Sequence, residues 1–169
     1  MRPEVQLLIG RIEGELEDLR RVVERTTRFL EQALRSDEEA FWDAIALNLH
    51  GFYSGVERIL YDIARAIDQA VPGGPHWHED LLRQVSVEIP SLRPAVLQRS
   101  TRDCLDEYRR FRHVVRNVYT FVFDRARLRE LAQRLPACFD QVSRDLRAFQ
   151  GFLGRLDRGA HSSMEREAQ

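Results

Sequence analysis

Eight consecutive residues, from Arg112 to Tyr119, hold the side chains best suited to chemistry in this chain. The run reads Arg-His-Val-Val-Arg-Asn-Val-Tyr. Two arginines one helical turn apart could hold a phosphate through charge-assisted hydrogen bonds. A histidine beside them could move a proton near neutral pH. We therefore expect this segment to bind a phosphodiester. Such a set of residues could cleave RNA, with arginine stabilising the transition state while the 2′-hydroxyl attacks phosphorus.

On a helix these side chains divide between two faces. Phe111, Val115 and Val118 lie on the core side. A polar stripe within about 80° holds three arginines and a tyrosine, bordered by a histidine and an amide: Arg109, Arg112, Arg116, Tyr119, His113 and Asn117. Like charges one turn apart are mildly destabilising, so the stripe needs compensation. An anionic ligand is one source, and a solvated face with acidic neighbours is the other: Asp103, Asp106, Glu107 and Asp124.

Helices must position this stripe, because helical periodicity covers most of the chain. Apolar residues recur at spacings of three and four over residues 5–33, 42–70, 97–122 and 128–156. We therefore predict an all-α fold, a four-helix up-and-down bundle. Ser36 and Glu39 predict a capping box that starts the second helix after a short turn. Pro136 predicts a kink in the fourth.

One long irregular connection separates the second and third helices. It runs from Pro72 to Pro94 and contains a short predicted helix over residues 78–85. Connections of this length in a compact domain often carry function or cross the bundle. A lid, a dimer contact and a plain crossover all fit the sequence.

Length and composition predict one helical domain over residues 1–157 and a polar, disordered tail over 158–169. The net charge of −1 gives no overall basic field, although all 26 basic residues are arginine. No apolar run is long enough to span a bilayer, and the N-terminus does not read as a secretory signal. We therefore expect a cytoplasmic protein without a membrane partner.

Cysteine and histidine usage predicts neither a metal site nor a cofactor. Cys104 and Cys138 are expected to be separate, small buried hydrophobic residues. His76 and His78 lie close in sequence, but a metal site needs further ligands at short spacing.

The run around Arg112 resembles the active-site helix of the HepT-like ribonuclease toxins, a branch of the HEPN superfamily. Their signature is an arginine, usually with a polar residue after it, then a histidine four to six positions on, often followed by x-Tyr. Arg112, His113 and Tyr119 match, whereas Asn117 stands at the histidine position. Residues 49–58 and 77–82 also resemble a HepT-like subfamily.

The resemblance implies a homodimer in which the motif helices meet across a composite cleft. It implies a metal-independent endoribonuclease, a hydrolase that needs no cofactor and acts on RNA. Such a protein is the toxin of a type VII-like toxin–antitoxin pair. Its partner is an MntA-like nucleotidyltransferase antitoxin, which transfers AMP to the motif tyrosine; Tyr119 is the matching position. Arg112, His113 and Asn117 would be the catalytic positions, and Arg109 and Arg116 would bind RNA phosphate.

The asparagine at position 117 leaves three alternatives open, because an amide cannot shuttle a proton at neutral pH. In the first alternative, the nuclease is inactive, and the chain is a module that binds RNA or the nucleotidyltransferase through its arginine face. In the second, His113 takes over the proton transfer. In the third, Asn117 positions the 2′-hydroxyl in a slower enzyme. A plain structural bundle with a solvated arginine stripe is a further possibility.

Three polar residues of the second helix share one face: His50, Tyr53 and Glu57. Their positions fit either a polar flank of the core or a support for the arginines. On the second interpretation, Glu57 pairs with Arg112 or Arg116 and orients it.

Overall fold

The fold is built from α-helices, which a computed structural model describes over residues 3–117 and 124–167, with side chains over 3–113 and 124–156. Helices α1 to α5 are Pro3–Ser36, Glu39–Ile63, Trp77–Val85, Arg99–Asn117 and Arg125–Glu167. No strand occurs in these ranges, which confirms the all-α class.

The four long helices form the predicted bundle. Helix α2 packs against α1, α4 and α5, and α5 also contacts α1 and α4. Helix α1 runs antiparallel to α2, since Arg11 lies near Asp62 while Glu15 bonds Arg58 one turn further along. The short helix α3 lies across α2 and α4.

The heptad seam of α1 packs closely on α2, as its periodicity predicts. Its buried residues are Leu8, Ile12, Leu16, Leu19, Val23, Thr26, Leu30 and Ala33. Thr26 interrupts the apolar seam, but its hydroxyl is satisfied because it donates to the carbonyl of Val22 at 2.7 Å. Gly55 sets the closest approach, since a Cβ there would meet Leu19 Cδ2 at 2.8 Å.

The capping box predicted from Ser36 and Glu39 is wrong. Ser36 is the last residue of α1, and its hydroxyl donates to the carbonyl of Gln32 at 3.0 Å. Helix α2 starts at Glu39 with Glu38 as its N-cap, and no side chain caps it. The hydroxyl therefore satisfies a carbonyl at the end of α1. It also accepts from the N–H of Glu38 at 3.4 Å, but not from an N–H within the first turn of α2.

Helices α4 and α5 are joined by a covalent bond and by hydrogen bonds. A disulfide links Cys104 to Cys138, whose Cα atoms are 6.1 Å apart, so the prediction of two separate cysteines is wrong. The hydroxyl of Tyr108 donates to the carbonyl of Leu131 at 2.9 Å. Asp145 accepts from the backbone N–H of Gln98, the residue before α4. The disulfide and these two hydrogen bonds together hold α4 at a defined position along α5.

The connection between α2 and α4 is ordered around a buried ion pair. Helix α2 passes into a π-helical turn, Ala64–Asp68, so the predicted α-helix up to residue 70 is too long. Asp68 accepts from Arg93 Nε at 2.5 Å and Nη2 at 2.7 Å, with both side chains almost fully buried. Between them lies α3, which confirms the predicted short helix.

Helix α5 continues through Pro136 and reaches Glu167. It therefore includes residues 158–167 of the segment for which composition predicts a disordered tail, and the domain boundary at residue 157 stays a prediction. Within residues 3–117 and 124–167, no helix combines the length and apolar content needed to cross a membrane.

Candidate active site

A cleft of about 410 Å³ opens between α4 and the start of α3. Helix α4 contributes Arg109, Arg112 and His113, which are part of the polar stripe predicted from the sequence. The other lining residues come from the connection: Pro75, His76, His78 and Glu79. Two arginines and three histidines thus share one small concave surface.

Arg112 is held at this cleft by a carboxylate on α2. Its Nη1 donates to both oxygens of Glu57, at 3.1 and 3.3 Å. The two side chains are only 16% and 8% exposed, so water screens the pair weakly. The pairing predicted for Glu57 is found with Arg112, and the guanidinium is fixed in position before any ligand binds.

His78 shares the same carboxylate. Its Nδ1 lies 2.5 Å from Glu57 Oε2 and 3.3 Å from Arg112 Nη1. The ring also stacks on Trp77, with ring centroids 3.7 Å apart. Trp77 in turn meets the edge of Tyr61, one helical turn beyond Glu57 on α2. The first turn of α3 is therefore anchored to α2 by two neighbouring contacts.

Tyr53 forms the floor beneath Arg112. The residue is fully buried, and the guanidinium carbon of Arg112 lies 5.9 Å from the centre of its ring. Burial raises the pKa of the Tyr53 hydroxyl well above its usual range, and the negative charge of Glu57 adds to the effect. Among the described residues, Arg112 Nε has no hydrogen-bond partner, so the guanidinium keeps one donor unused.

Arg109 is compensated by acidic neighbours. Its Nε donates to Asp106 at 2.7 Å, and its Nη2 lies 3.9 Å from Glu79. Asp106 also pairs with Arg110. The solvated acidic compensation considered for the stripe therefore exists, and it acts mainly on Arg109 and Arg110, whereas Arg112 is paired from beneath by a different helix.

A family model described as "HepT-like protein" matches residues 44–153, about two thirds of the chain. The chain belongs to the HepT-like family. The match begins within α2 and ends within α5, so it includes every element that lines the cleft. No curated protein and no solved structure matches the chain significantly. Membership indicates a toxin module of the HEPN type, from a family associated with toxin–antitoxin pairs.

The HepT-like motif is only partly within the described side chains. Arg112, at the motif arginine position, and His113 both line the cleft. The backbone of Arg116 and Asn117 belongs to α4, but their side chains lie outside the described residues, as does the whole of Tyr119. Within the described part of the chain, half-buried His50 is not among the residues that line the cleft.

The sequence does not predict that the connection brings two histidines, His76 and His78, to this HepT-like cleft. The residue pattern presents His76 and His78 only as possible metal ligands and predicts no chemistry for them at the arginine helix. A signal existed, because the short helix begins at Trp77-His78, within one of the runs that resemble the family. What was missing is the placement of that helix across α2 and α4.

Proposed function

We propose that this HepT-like protein is the toxin component of a type VII-like toxin–antitoxin pair and acts as a metal-independent endoribonuclease. The observation that supports this most is the environment of Arg112. The residue at the motif arginine position is fixed by Glu57 at a cleft that also holds Arg109 and three histidines. A fixed arginine beside groups able to exchange protons suits cleavage of a phosphodiester.

In this proposal each residue of the stripe has a distinct role. Arg112 stabilises the negative charge that develops on the phosphoryl oxygens as the 2′-hydroxyl attacks. Arg109 and Arg116 bind neighbouring phosphates of the RNA. His113 and Asn117 stand at the positions where the motif places its polar residue and its histidine. Tyr53, beneath Arg112, and His50 support α2 behind the cleft.

Regulation in this proposal acts at Tyr119 and depends on a partner. An MntA-like nucleotidyltransferase would transfer AMP to the hydroxyl of Tyr119, two residues beyond Asn117. The added nucleotide would block the cleft by its bulk and its negative charge. The active form would be a homodimer in which two motif helices face each other.

The second candidate function is a weak or inactive HEPN-fold module that binds RNA or the nucleotidyltransferase through the same arginine face. Two observations favour it. Asn117 stands where the motif has a histidine, and an amide cannot transfer a proton at neutral pH. In addition, Asp106 and Glu57 already neutralise the charges of Arg109 and Arg112.

Growth on expression separates the two candidates. Expression without the partner should arrest growth if the chain is an active toxin, and Arg112→Ala should relieve the arrest. Arg110→Ala is the matched control, because Arg110 lies on the same helix but outside the cleft and should leave the arrest intact. Normal growth with the unmodified protein, together with a stable complex with a nucleotidyltransferase, would favour the binding module.

A further inference from the structure

We infer that Glu57 and His78 form the proton-transfer pair of this active site, with His78 in the role that the asparagine at position 117 cannot fill. This inference rests on the proposed ribonuclease function and adds a residue from outside the motif helix. Glu57 comes from α2 and His78 from α3, and both meet Arg112 of α4 within 3.3 Å. Three elements therefore converge on one polar cluster.

The contacts around Glu57 orient the ring of His78. His78 Nδ1 and Glu57 Oε2 are 2.5 Å apart, so a proton must lie between them. Glu57 also accepts two hydrogen bonds from the guanidinium of Arg112. In the tautomer in which Nδ1 donates to this carboxylate, Nε2 of the neutral ring is the proton acceptor.

The ring of His78 is both fixed and accessible. Stacking on Trp77 and the bond to Glu57 define its orientation. Its side chain is 23% exposed, and it lines the same cleft as Arg112. Because Glu57 occupies Nδ1, Nε2 is the nitrogen with capacity left for a substrate hydroxyl. A carboxylate that orients a histidine in this way also stabilises the imidazolium formed when the ring takes a proton.

This pair would act on the 2′-hydroxyl next to the scissile phosphate. The O2′–H bond breaks and its proton passes to His78 Nε2, while O2′ forms a bond to phosphorus. The bond from phosphorus to the 5′-oxygen breaks, and that oxygen leaves with a proton from water. The imidazolium then returns its proton to the solvent. The products are a 2′,3′-cyclic phosphate end and a 5′-hydroxyl end, with no change in oxidation state.

The same inference gives the connection between α2 and α4 a role. The sequence is compatible with a lid, a dimer contact or a plain crossover as the role of this connection. With His78 at its first turn, α3 completes the active site, and the connection supplies a side chain to the chemistry.

The decisive experiment measures kcat/KM for cleavage of a single-stranded RNA by the purified full chain. His78→Gln retains a side-chain N–H that can bond Glu57 but cannot transfer a proton. If His78 had only a structural role, His78→Gln would keep most of its kcat/KM. The inferred role in proton transfer predicts that kcat/KM falls by about 100-fold or more. His113→Gln is the matched variant on the motif helix, and its loss should be smaller.

A pH profile and chemical rescue give further readouts. If the reaction needs a general base, wild-type kcat/KM should fall at acid pH, and His78→Gln should lack this acid limb. The charged and titratable groups around His78 are Glu57, Arg112, Arg109, Glu79, His76 and His113. For a variant that removes the side chain, His78→Ala, added imidazole should restore part of the activity.

The outcomes separate the inference from the proposed function. If wild-type protein cleaves RNA, Arg112→Ala does not, and His78→Gln stays within threefold of wild type with an unchanged pH profile, the inference is overturned while the ribonuclease function stands. If wild-type protein does not cleave RNA at all, both fall together.

Discussion

At the scale of single residues, one buried carboxylate organises the site. Glu57 is 8% exposed, yet it binds both a guanidinium and an imidazole. A buried charge is tolerated only when its partners replace the lost hydration. Arg112 and His78 supply these partners to Glu57, and Glu57 fixes both of them. The three side chains therefore depend on one another for their positions, and in the proposed mechanism for the chemistry as well.

Removal of Glu57 should destabilise the protein substantially. Glu57→Ala leaves the guanidinium of Arg112 in a buried position without its carboxylate, at a cost of about 3 kcal/mol. Urea denaturation followed by circular dichroism measures this free energy of unfolding. Glu17→Ala is the matched control, since Glu17 lies in exposed ion pairs on α1 and its loss should change little. Equal stability of Glu57→Ala and wild type would contradict the coupling.

The sequence predicted half of this cluster. Glu57 shares a helical face with His50 and Tyr53, and the arginine stripe required a counter-charge, so a pair between Glu57 and Arg112 or Arg116 could be expected. His78 could not be assigned in the same way. Its contact with Glu57 spans 21 residues and depends on the path of an irregular connection, which residue spacing does not specify.

At the scale of elements, the position of α3 depends on a second buried ion pair. Arg93 donates to Asp68 through Nε and Nη2, and its remaining donors reach the carbonyls of Val87, Pro94 and Gln84. Gln84 of α3 also donates to Asp68 at 2.7 Å. The π-helical turn, α3 and the segment before α4 are thus joined at one point, which holds His78 against α2.

Loss of Asp68 should therefore lower the free energy of unfolding. Asp68→Ala leaves the fully buried side chain of Arg93 unpaired, which should cost about 3–5 kcal/mol. The double variant Asp68→Leu, Arg93→Met should recover much of that stability, because two apolar side chains can replace a buried pair. Chemical denaturation of the single and double variants measures the coupling. If Asp68→Ala alone unfolds at the wild-type urea concentration, the pair does not hold the connection.

The helices themselves followed from periodicity, whereas their ends and links did not. The heptad seam of α1 and the apolar positions of α2 predicted which residues are buried, because burial on a helix repeats with the turn. The capping box failed because Ser36 bonds back to Gln32 within α1. The bond between Cys104 and Cys138 joins two helices at a separation of 34 residues, and only the packing of α4 on α5 brings the sulfurs together.

At the scale of the whole molecule, charge is arranged locally. The net charge is −1, so no overall field attracts RNA. Acidic residues neutralise much of the arginine surface, including Arg109 and Arg110 through Asp106. On the proposed function, RNA recognition would then rely on the geometry of the cleft, and a homodimer that joins two such clefts would supply the wider contact surface. The HepT-like family model matches residues 44–153, a range that includes all the residues that line the cleft.

The most direct test of the central claim is cleavage of single-stranded RNA by purified protein in the presence of a metal chelator. We predict cleavage with 2′,3′-cyclic phosphate ends, a loss of about 100- to 1,000-fold in Arg112→Ala, and a rate near that of wild type for Arg110→Ala. A substrate with a 2′-deoxy sugar at the cleavage position should stay intact. Absence of cleavage by the wild-type protein, or equal rates for wild type and Arg112→Ala, would contradict an active site at this cleft.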